Sequence, residues 1–431
     1  MMRKCNLGVV VLCGLMVMAG CAYKTPLNAT PNIYQEGRGK GVFAGVPEGL
    51  RTGEIGVIYA TDRKQEGTTE AGPKYVLGRS QRIAFGEATV ALEPAAGWDE
   101  LVTASTEAKR PHEYTVRTTK IQEVGQIQSI AERFAVKDHR IVLPPESQEL
   151  ATQERKAFQK LLEEKLALSP HKEVFVLVHG VNNSFDDAVH RAAQIWHFAG
   201  REGVAVAYCW PAGGEGLRGY FQDRESGEYT VLHLKTILLA IAECPSVEKI
   251  HIVAHSRGTD VTTTALRELC LGYQAKGEDA AKKLKLQTLV LASPDLDADV
   301  FRERFLFETL GAAQEHLVIY FSPEDSLIKM SKWLFRSKNR VGGLSPADFP
   351  AKARARIASL GTVDFVYCDV SGYSTSHDYE FAHPAVVSDL IMVLRENASP
   401  GAEHGRPLKS PAEGLWEIDN QYGLPAPKPG K

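Results

Sequence analysis

The chain has 431 residues, 44% of them hydrophobic, and a formal net charge of −3 at pH 7. This is enough to bury a large core, and one α/β domain with extra segments fits the length as well as two domains do. The near-neutral charge and the lack of a long basic block argue against a nucleic-acid partner.

The N-terminus has the pattern of a lipoprotein signal. Two basic residues precede an apolar run from Leu7 to Met18, which is too short to span a bilayer as a mature helix. The next residues, Ala19-Gly20-Cys21, complete a sequence that resembles a bacterial lipobox, so we expect cleavage after residue 20 and lipid attachment to Cys21. Several acyl chains would anchor the protein to a membrane, and Ala22, in place of aspartate, favours the periplasmic face of the outer membrane. The alternative is an ordinary secretory signal with a chance cysteine.

Residues 21–50, which are rich in Pro, Gly, Asn and Thr, are predicted to form a tether. We expect a folded domain over residues 51–397. The Pro/Gly-rich residues 398–431 are predicted to form an extended tail that wraps loosely or is disordered.

Apolar runs of strand length recur from residue 55 onward. Most are unbroken, as is typical of parallel strands that helices cover on both faces. The predicted strands are Ile55–Ala60, Ala88–Leu92, Val174–His179, Val204–Trp210, Ile250–Ala254, Leu286–Ala292, Leu317–Phe321 and Val363–Val370. Helical patterns lie at Gln148–Leu168, Phe185–Ala199, Thr230–Glu243 and Thr259–Tyr273. The alternation predicts an α/β fold with a mostly parallel, doubly wound sheet of about eight strands and helices on both faces.

The segment Lys249–Asp260 carries the strongest functional signal. An apolar, β-branched run ends at small-His-Ser-x-Gly, and a helical pattern follows at once. This is the pattern of the nucleophile elbow of an α/β hydrolase, where a tight strand-to-helix turn exposes a serine above the sheet. Ala254 and Gly258 are the small residues that the close approach of strand and helix requires. We therefore predict that Ser256 is a catalytic nucleophile, the alternative being a serine in a merely structural turn.

A nucleophilic serine needs a histidine base and an acid that orients it, and α/β hydrolases supply them in the chain order Ser, Asp or Glu, His. Asp325 follows the seventh predicted strand and His377 the eighth, at the carboxyl ends where open α/β sheets gather their sites. We predict Asp325 as the acid and His377 as the base. Asp295, after the sixth strand, is the alternative acid, and Glu324 could also serve if the histidine were shifted.

Other polar residues near these strand ends receive structural interpretations. His179 and His255 are expected to pack and form hydrogen bonds beside the site rather than to act as bases. His383 precedes a proline, which suits the first turn of a closing helix. Asp297 is expected to cap the helix that begins near Ala298.

Two backbone N–H groups are expected to stabilise the oxyanion that forms during ester or amide hydrolysis. One belongs to Arg257, the residue after the nucleophile. The other is expected from the loop after the third strand, where Gly180 lets the backbone approach the reacting carbonyl. Val181 is the predicted second donor, and Asn182 is the alternative.

Several further motifs accompany the elbow in a fixed order. They are Tyr59–Arg63, the Val178–Phe185 loop, Trp210-Pro211, Tyr220, Asp223, Ala254–Gly258, Ser293–Phe301, Ser322, Asp325, His377 and Tyr379. With these motifs the chain resembles a family of bacterial α/β hydrolases of unknown function, placed in the esterase/lipase superfamily and often lipid-anchored. The resemblance covers roughly residues 54–396. It implies an α/β-hydrolase domain and a Ser–Asp–His triad, but no substrate.

We expect neither a metal nor a cofactor. Asp295-x-Asp297-x-Asp299 lacks the glycine and glutamate of a calcium loop, and no His/Cys/Asp cluster has the spacing of metal ligands. Four cysteines follow the leader: Cys209, Cys244, Cys270 and Cys368. Buried free thiols are expected for Cys209 and Cys368, whereas a Cys244–Cys270 bond stays open.

Two further segments bear on the surroundings of the site. Lys329–Arg340 interleaves basic and aromatic residues and could bind an anionic substrate or a membrane surface, although a solvated excursion is favoured. Residues 213–229 are predicted to form a mobile loop that borders the pocket. The connection after the sixth strand, residues 294–315, is too short for a bulky lid, which favours small or accessible esters.

Together these patterns predict a membrane-tethered serine hydrolase that takes a small-molecule ester, most simply a carboxylesterase acting through an acyl-enzyme. A peptidase or amidase would share the triad. A non-catalytic envelope lipoprotein that retained the fold is the structural alternative. No protein partner is predicted.

Overall fold

The computed structural model describes residues 25–128, 133–306, 313–372 and 377–424. The predicted signal peptide and the predicted lipid attachment at Cys21 lie outside these residues. Within the described ranges, no helix is both long and apolar enough to cross a membrane.

One large sheet runs through the molecule, and a small hairpin, β5–β6, stands apart from it. The described strands are β1 (Thr25–Pro26), β2 (Glu54–Thr69), β3 (Gly72–Glu93), β4 (Thr115–Gln128), β5 (Ala135–Lys137), β6 (Arg140–Val142), β7 (Glu173–Val178), β8 (Val204–Cys209), β9 (Lys249–His255), β10 (Leu286–Ala292), β11 (His316–Phe321), β12 (Val363–Asp369), β13 (Lys409–Ala412) and β14 (Leu415–Asp419). The order across the sheet is β1-β4-β3-β2-β8-β7-β9-β10-β11-β12-β14-β13. All neighbours from β2 to β14 pair in parallel, and antiparallel strands flank them on both sides.

Helices cover both faces of the parallel strands. The described α-helices are α1 (Lys40–Ala44), α2 (Trp98–Thr106), α3 (Pro145–Leu166), α4 (Phe185–Phe198), α5 (Gly216–Ala242), α6 (Gly258–Gln274), α7 (Ala280–Leu284), α8 (Ala298–Leu306), α9 (Ser326–Leu334), α10 (Ala351–Leu360), α11 (Tyr379–Ala382) and α12 (Pro384–Glu396). Strand β9 shows why both faces are apolar. Ile252 belongs to the core beneath α3, α5 and α6, whereas Val253 belongs to the core beneath α4 and α12. This two-sided burial explains the unbroken apolar runs of the central strands.

The α/β class and the mostly parallel sheet are confirmed, but the estimate of about eight strands is too low, because the sheet contains twelve described strands. The additional strands lack the continuous apolar runs on which the prediction was based. Strand β4 has only three buried residues among its fourteen, Val116, Ile121 and Ile127, and most of the others are polar, so it shows no unbroken apolar run. The predicted strand Ala88–Leu92 is the end of the long β3.

The interpretation of the predicted tether is corrected by the described part of that segment, residues 25–50. Its sparse apolar side chains are buried on the domain, among them Leu27, Tyr34, Phe43 and Val46. Asn32 Nδ2 also donates a hydrogen bond of 2.8 Å to the carbonyl oxygen of Tyr422, near the other end of the described chain. Residues 25–50 therefore pack against the fold.

The interpretation of residues 398–431 as an extended tail is also corrected for the part that the structure describes, residues 398–424. Strand β14 pairs in parallel with β12 and extends the central sheet. Arg406, which is fully buried, donates to both carboxylate oxygens of Asp389 at 2.8 and 2.9 Å and also to Asp364. Burying an arginine requires such paired acceptors. Short strands between prolines and glycines offer little periodic signal, which is why the tail was not predicted as part of the sheet.

Candidate active site

Ser256 lies in the sharp turn between strand β9 and helix α6. Its φ of 52° is in the left-handed region, which is strained for a residue with a side chain and is the conformation of a nucleophile elbow. Its N–H donates to the carbonyl oxygen of Ala292 at 2.9 Å, which ties the turn to the end of β10. The strand–turn–helix context that the sequence motif requires is therefore present.

Both predicted glycines occupy positions where a side chain would collide. A Cβ on Gly258 would lie 2.3 Å from the carbonyl oxygen of His179, because α6 begins directly against the end of β7. A Cβ on Gly180 would lie 2.7 Å from Cβ of Ser256. The loop after β7 therefore passes immediately beside the serine, as an oxyanion loop must.

His377 and Asp325 form a direct pair. Nδ1 of His377 lies 2.8 Å from Oδ2 of Asp325, whose side chain is fully buried. Ser293 Oγ donates to the same carboxylate oxygen at 2.9 Å, and the other oxygen accepts the N–H groups of Leu327 and Ile328 as the N-cap of α9. Asp325 is therefore held by four hydrogen bonds, and its orientation toward the imidazole is fixed.

Two contacts hold the segment that carries His377. Nε2 of His255 lies 2.9 Å from the carbonyl oxygen of His377, and the two rings have centroids 4.7 Å apart. The neighbouring Asp378 pairs with Arg191 of α4 at 2.8 Å. Because His255 immediately precedes Ser256, the first contact links the histidine segment to the elbow itself.

The electrostatics distinguish one histidine from its neighbours. Burial acts to lower the pKa of His377, but the Asp325 carboxylate outweighs it, and the pKa is raised above its usual value. Burial lowers the pKa of both His255 and His179 well below the usual range, with the charges of His377 and Arg63 respectively adding to the effect.

His179 stacks on Trp210, and its carbonyl oxygen accepts the indole N–H at 2.7 Å. The expectation that His179 and His255 pack beside the site is therefore confirmed.

Ser256 Oγ and His377 Nε2 are both buried, and within the described residues neither has a hydrogen-bond partner. No hydrogen bond therefore joins the two atoms in this structure. Hydrogen bonds between catalytic groups are often long or poorly aligned without substrate and tighten when it binds. Leaving two buried polar atoms unpaired costs folding free energy, which is expected of groups that act on a substrate rather than stabilise the fold.

Asp295, the alternative acid, forms hydrogen bonds and an ion pair with residues other than His377. Its carboxylate accepts a hydrogen bond of 2.6 Å from Ser331 Oγ, accepts another from the Tyr220 hydroxyl, and lies 3.3 Å from Arg340. Since the described partner of the His377 imidazole is Asp325, the geometry favours Asp325 over Asp295. Glu324 is exposed and pairs with Lys329 at 2.9 Å, which also sets it apart from the imidazole.

The predicted oxyanion donors differ in availability. The backbone N–H of Asn182 donates to Asp223 Oδ2 at 2.8 Å, so the suggestion of Asn182 as the second donor is corrected. The N–H groups of Val181 and Arg257 donate to no backbone acceptor within the described ranges. Among the described residues, Val181 and Arg257 are therefore the candidates whose N–H is not already used by a backbone acceptor.

Sequence reasoning missed the role of Asp223. This buried carboxylate accepts the N–H groups of Asn182, Gly213 and Gly214, and so ties the loop after β7 to the start of α5. Burial raises its pKa, although the three N–H donors act in the opposite direction. In the sequence, Tyr220 and Asp223 stand out only as motif residues, because a polar residue on a helix carries no signal of its distant partner. The predicted mobile loop at residues 213–229 is wrong, since α5 begins at Gly216.

The remaining predictions around the site have clear outcomes. Asp297 caps α8 through the N–H groups of Asp299 and Val300, and His383 caps α12 by accepting from Ala385 N, as expected.

The four described cysteines are buried and free, so no Cys244–Cys270 bond is present. Among the described residues, no group of three or more His, Cys, Asp or Glu side chains could hold a metal ion. Chemistry without a metal or a cofactor remains a prediction.

Comparison with known proteins identifies the family. The family model described as "Alpha/beta hydrolase of unknown function (DUF900)" matches residues 154–395, which is more than half of the chain and includes the elbow, Asp325 and His377. No curated protein and no solved structure matches the chain. The fold agrees with the family description, and so does the resemblance that the motifs implied. The chain belongs to the α/β-hydrolase family of unknown function DUF900.

Proposed function

We propose that this chain is a serine hydrolase that acts as a carboxylesterase, with Ser256 as nucleophile, His377 as general base and Asp325 as the acid that orients the histidine. The observation that carries the proposal is the Asp325–His377 hydrogen bond of 2.8 Å, on a segment tied through His255 to the elbow that holds Ser256. Membership of a hydrolase family supports the reaction class, and the particular residues and the ester substrate are our inference.

In the proposed reaction, His377 Nε2 removes the proton of Ser256 Oγ as the oxygen attacks the ester carbonyl carbon. The negative charge that develops on the carbonyl oxygen is stabilised by the N–H groups of Arg257 and Val181. The C–O bond to the alcohol then breaks, and the imidazolium returns its proton to the leaving alkoxide. Water attacks the acyl-enzyme with the same base, which releases the carboxylic acid and restores the serine.

Asp325 supports this cycle because its carboxylate favours the protonated imidazole, as the raised pKa of His377 indicates. A base with a raised pKa is a stronger proton acceptor but is already protonated at acidic pH. Activity should therefore fall as the pH drops through the pKa of His377, which lies above the usual value for histidine.

We further propose that the enzyme is anchored to the cell envelope through a lipid on Cys21 and faces the periplasm. The lipobox pattern is the support for this placement. Mass spectrometry of the purified full-length protein would test it. A mature N-terminus at residue 21 with added acyl chains is expected, and an unmodified cysteine or a different cleavage point would contradict it.

Covalent labelling tests the enzymatic proposal most directly. A fluorophosphonate probe should label the wild-type protein and the Ser410→Ala variant, which loses an exposed serine far along the chain, but not Ser256→Ala. Loss of the nucleophile should reduce turnover of p-nitrophenyl acetate by several orders of magnitude while leaving unfolding by urea nearly unchanged. Labelling that persists in Ser256→Ala, or no labelling of the wild type, would reject the assignment.

The choice between ester and amide substrates requires a second comparison. Matched p-nitrophenyl esters and p-nitroanilides each release a coloured nitroaromatic product, p-nitrophenolate and p-nitroaniline respectively, but differ in the bond that breaks. An esterase should turn over the ester far faster than the anilide. Comparable rates on both would favour the peptidase or amidase, and a series of acyl lengths would test the preference for short chains.

A further inference from the structure

Two neighbouring helices expose large apolar side chains at one place on the surface. We call Leu217 and Phe221 of α5 together with Met330 and Trp333 of α9 the rim patch. Trp333 is 76% exposed, and the other three side chains are between 42% and 50% exposed. Scattered single apolar residues on a surface are ordinary, whereas a group of large ones on adjacent helices indicates an interaction site.

The two helices are joined through Phe335. Its ring lies 6.1 Å from that of Phe221 and 5.6 Å from that of Tyr220, measured between centroids. Tyr220 also lies within 3.2 Å of Ser331 of α9, oxygen to oxygen. Leu217 and Phe221 are one turn apart on α5, and Met330 and Trp333 are one turn apart on α9, so each pair shares a helix face. Tyr220 and Phe335 therefore hold the two exposed pairs on helices that pack against each other.

The rim patch is connected to the candidate active site at both helices. The N-terminus of α9 is capped by Asp325, whose other carboxylate oxygen lies against His377. The start of α5 is tied by Asp223 to the loop that contains Val181 and Asn182. The patch therefore lies at the carboxyl edge of the sheet, on elements whose positions the site residues fix.

In the two segments that carry the rim patch, residues 215–228 and 324–338, exposed cations outnumber exposed carboxylates by six to four, and the excess lies in residues 324–338. The exposed cations of the two segments are Arg218, Arg224, Lys329, Lys332, Arg336 and Lys338. The exposed carboxylates of the same stretches are Glu215, Glu225, Glu228 and Glu324, and Glu324 is paired with Lys329. The entire chain carries a formal charge of −3, so these two segments together are more basic than the chain as a whole.

We propose that the rim patch docks on an anionic lipid bilayer. Aromatic and aliphatic side chains beside lysine and arginine are the combination that binds the interface of such a membrane, because the apolar groups enter the headgroup region while the cations pair with lipid phosphates. A second copy of the chain is a poorer occupant, since a symmetric contact would bring the like charges of two patches together. The docking requires no hydrolysis and stands apart from the proposed enzymatic function.

The depth of Trp333 in a bilayer tests this proposal. The full-length protein is reconstituted in phosphatidylcholine vesicles with and without phosphatidylglycerol, in which the acyl chains carry bromine atoms that quench tryptophan fluorescence. In the vesicles that contain phosphatidylglycerol, the wild type should show a quenched component that Trp333→Phe lacks. Trp416→Phe, which removes a half-buried tryptophan from β14, should keep that component.

Charge and apolar contact are separated by two further variants. Lys332→Glu with Arg336→Glu should remove most of the quenching of Trp333, whereas Ile141→Ser, at a residue that is also 76% exposed but lies in the β5–β6 hairpin, should leave it intact. Quenching that is equal without phosphatidylglycerol would overturn the preference for anionic lipid. Trp333 that remains unquenched in both vesicles and open to aqueous iodide would overturn the docking, and burial of Trp333 that depends only on protein concentration would assign the patch to a second copy instead.

Discussion

Replacing the buried Glu380 with glutamine should make the protein more stable at alkaline pH. Glu380 lies in α11 close to His377, its side chain is fully buried, and neither carboxyl oxygen has a hydrogen-bonding partner of good geometry among the described residues. Burial raises its pKa from 4.5 to about 8; the nearby Ser293 hydroxyl and the His377 charge oppose this rise, and the Asp325 charge adds to it. The carboxyl group is therefore protonated in the folded protein near neutral pH, where it would be ionised in the unfolded chain.

The sign of the pH dependence follows from the bound proton. Between the two pKa values the folded state holds a proton that the unfolded state releases, so the free energy of unfolding falls as the pH rises from about 5 to about 8. Each pH unit of separation corresponds to about 1.4 kcal/mol, so this group should remove about 3 to 4 kcal/mol over that interval. Glutamine keeps the size of the neutral carboxyl group and does not ionise, so Glu380→Gln should lack this loss.

Urea unfolding of the wild type and of Glu380→Gln, at a series of pH values from about 5 to about 8, measures the difference directly. The variant should gain about 3 to 4 kcal/mol relative to the wild type across the series. Glu413→Gln, which changes an exposed carboxylate, should follow the wild type. A difference between Glu380→Gln and the wild type that does not change with pH would show that Glu380 titrates normally in the folded state, and the reasoning would be refuted.

Two other substitutions test the site and its support. Asp325→Asn should lower ester turnover by about 10⁴-fold and move the acidic limb of the pH–rate profile to lower pH, because His377 loses the carboxylate that raises its pKa. Asp295→Asn should leave the acidic limb in place. If Asp295→Asn moved that limb and Asp325→Asn did not, Asp295 would be the acid. Gly258→Ala should cost about 1 to 3 kcal/mol in urea unfolding, because its Cβ would lie 2.6 Å from a carbonyl oxygen at the end of β7. On the same helix Gly272→Ala meets no atom within 4 Å and should be neutral or stabilising, so equal losses at both glycines would contradict the steric explanation.

The central strands and the elbow could be predicted because local physics dictates them. Parallel strands with two buried faces need continuous apolar runs, and the predicted run Leu286–Ala292 coincides with β10. The turn at Ser256 requires small neighbours, and the sequence provides them. Asp325 and His377 follow from the same rule, since the carboxyl ends of adjacent parallel strands meet at one edge of a sheet.

What the sequence did not reveal depends on partners that lie far along the chain. Strands β4 and β14 have no continuous apolar run in their sequences. They form strands because each pairs with the edge of a neighbouring strand, β3 and β12 respectively. The use of the Asn182 N–H by Asp223 likewise joins two segments about 40 residues apart, and no periodicity encodes such a bond. Polar networks of this kind require coordinates.

The buried ion pairs of Arg406 have a consequence for how the chain completes its fold. The guanidinium that neutralises Asp364 and Asp389 arrives only after the entire family-matched region has been synthesised. In a nascent chain that ended at residue 397, Asp389 would be buried without the guanidinium that pairs with it, whereas Asp364 would keep its contact with His316. The edge of the sheet beside β12 would also be open. Residues 398–424 therefore complete the core, and a chain shortened to residue 397 should aggregate on expression rather than fold as a smaller protein.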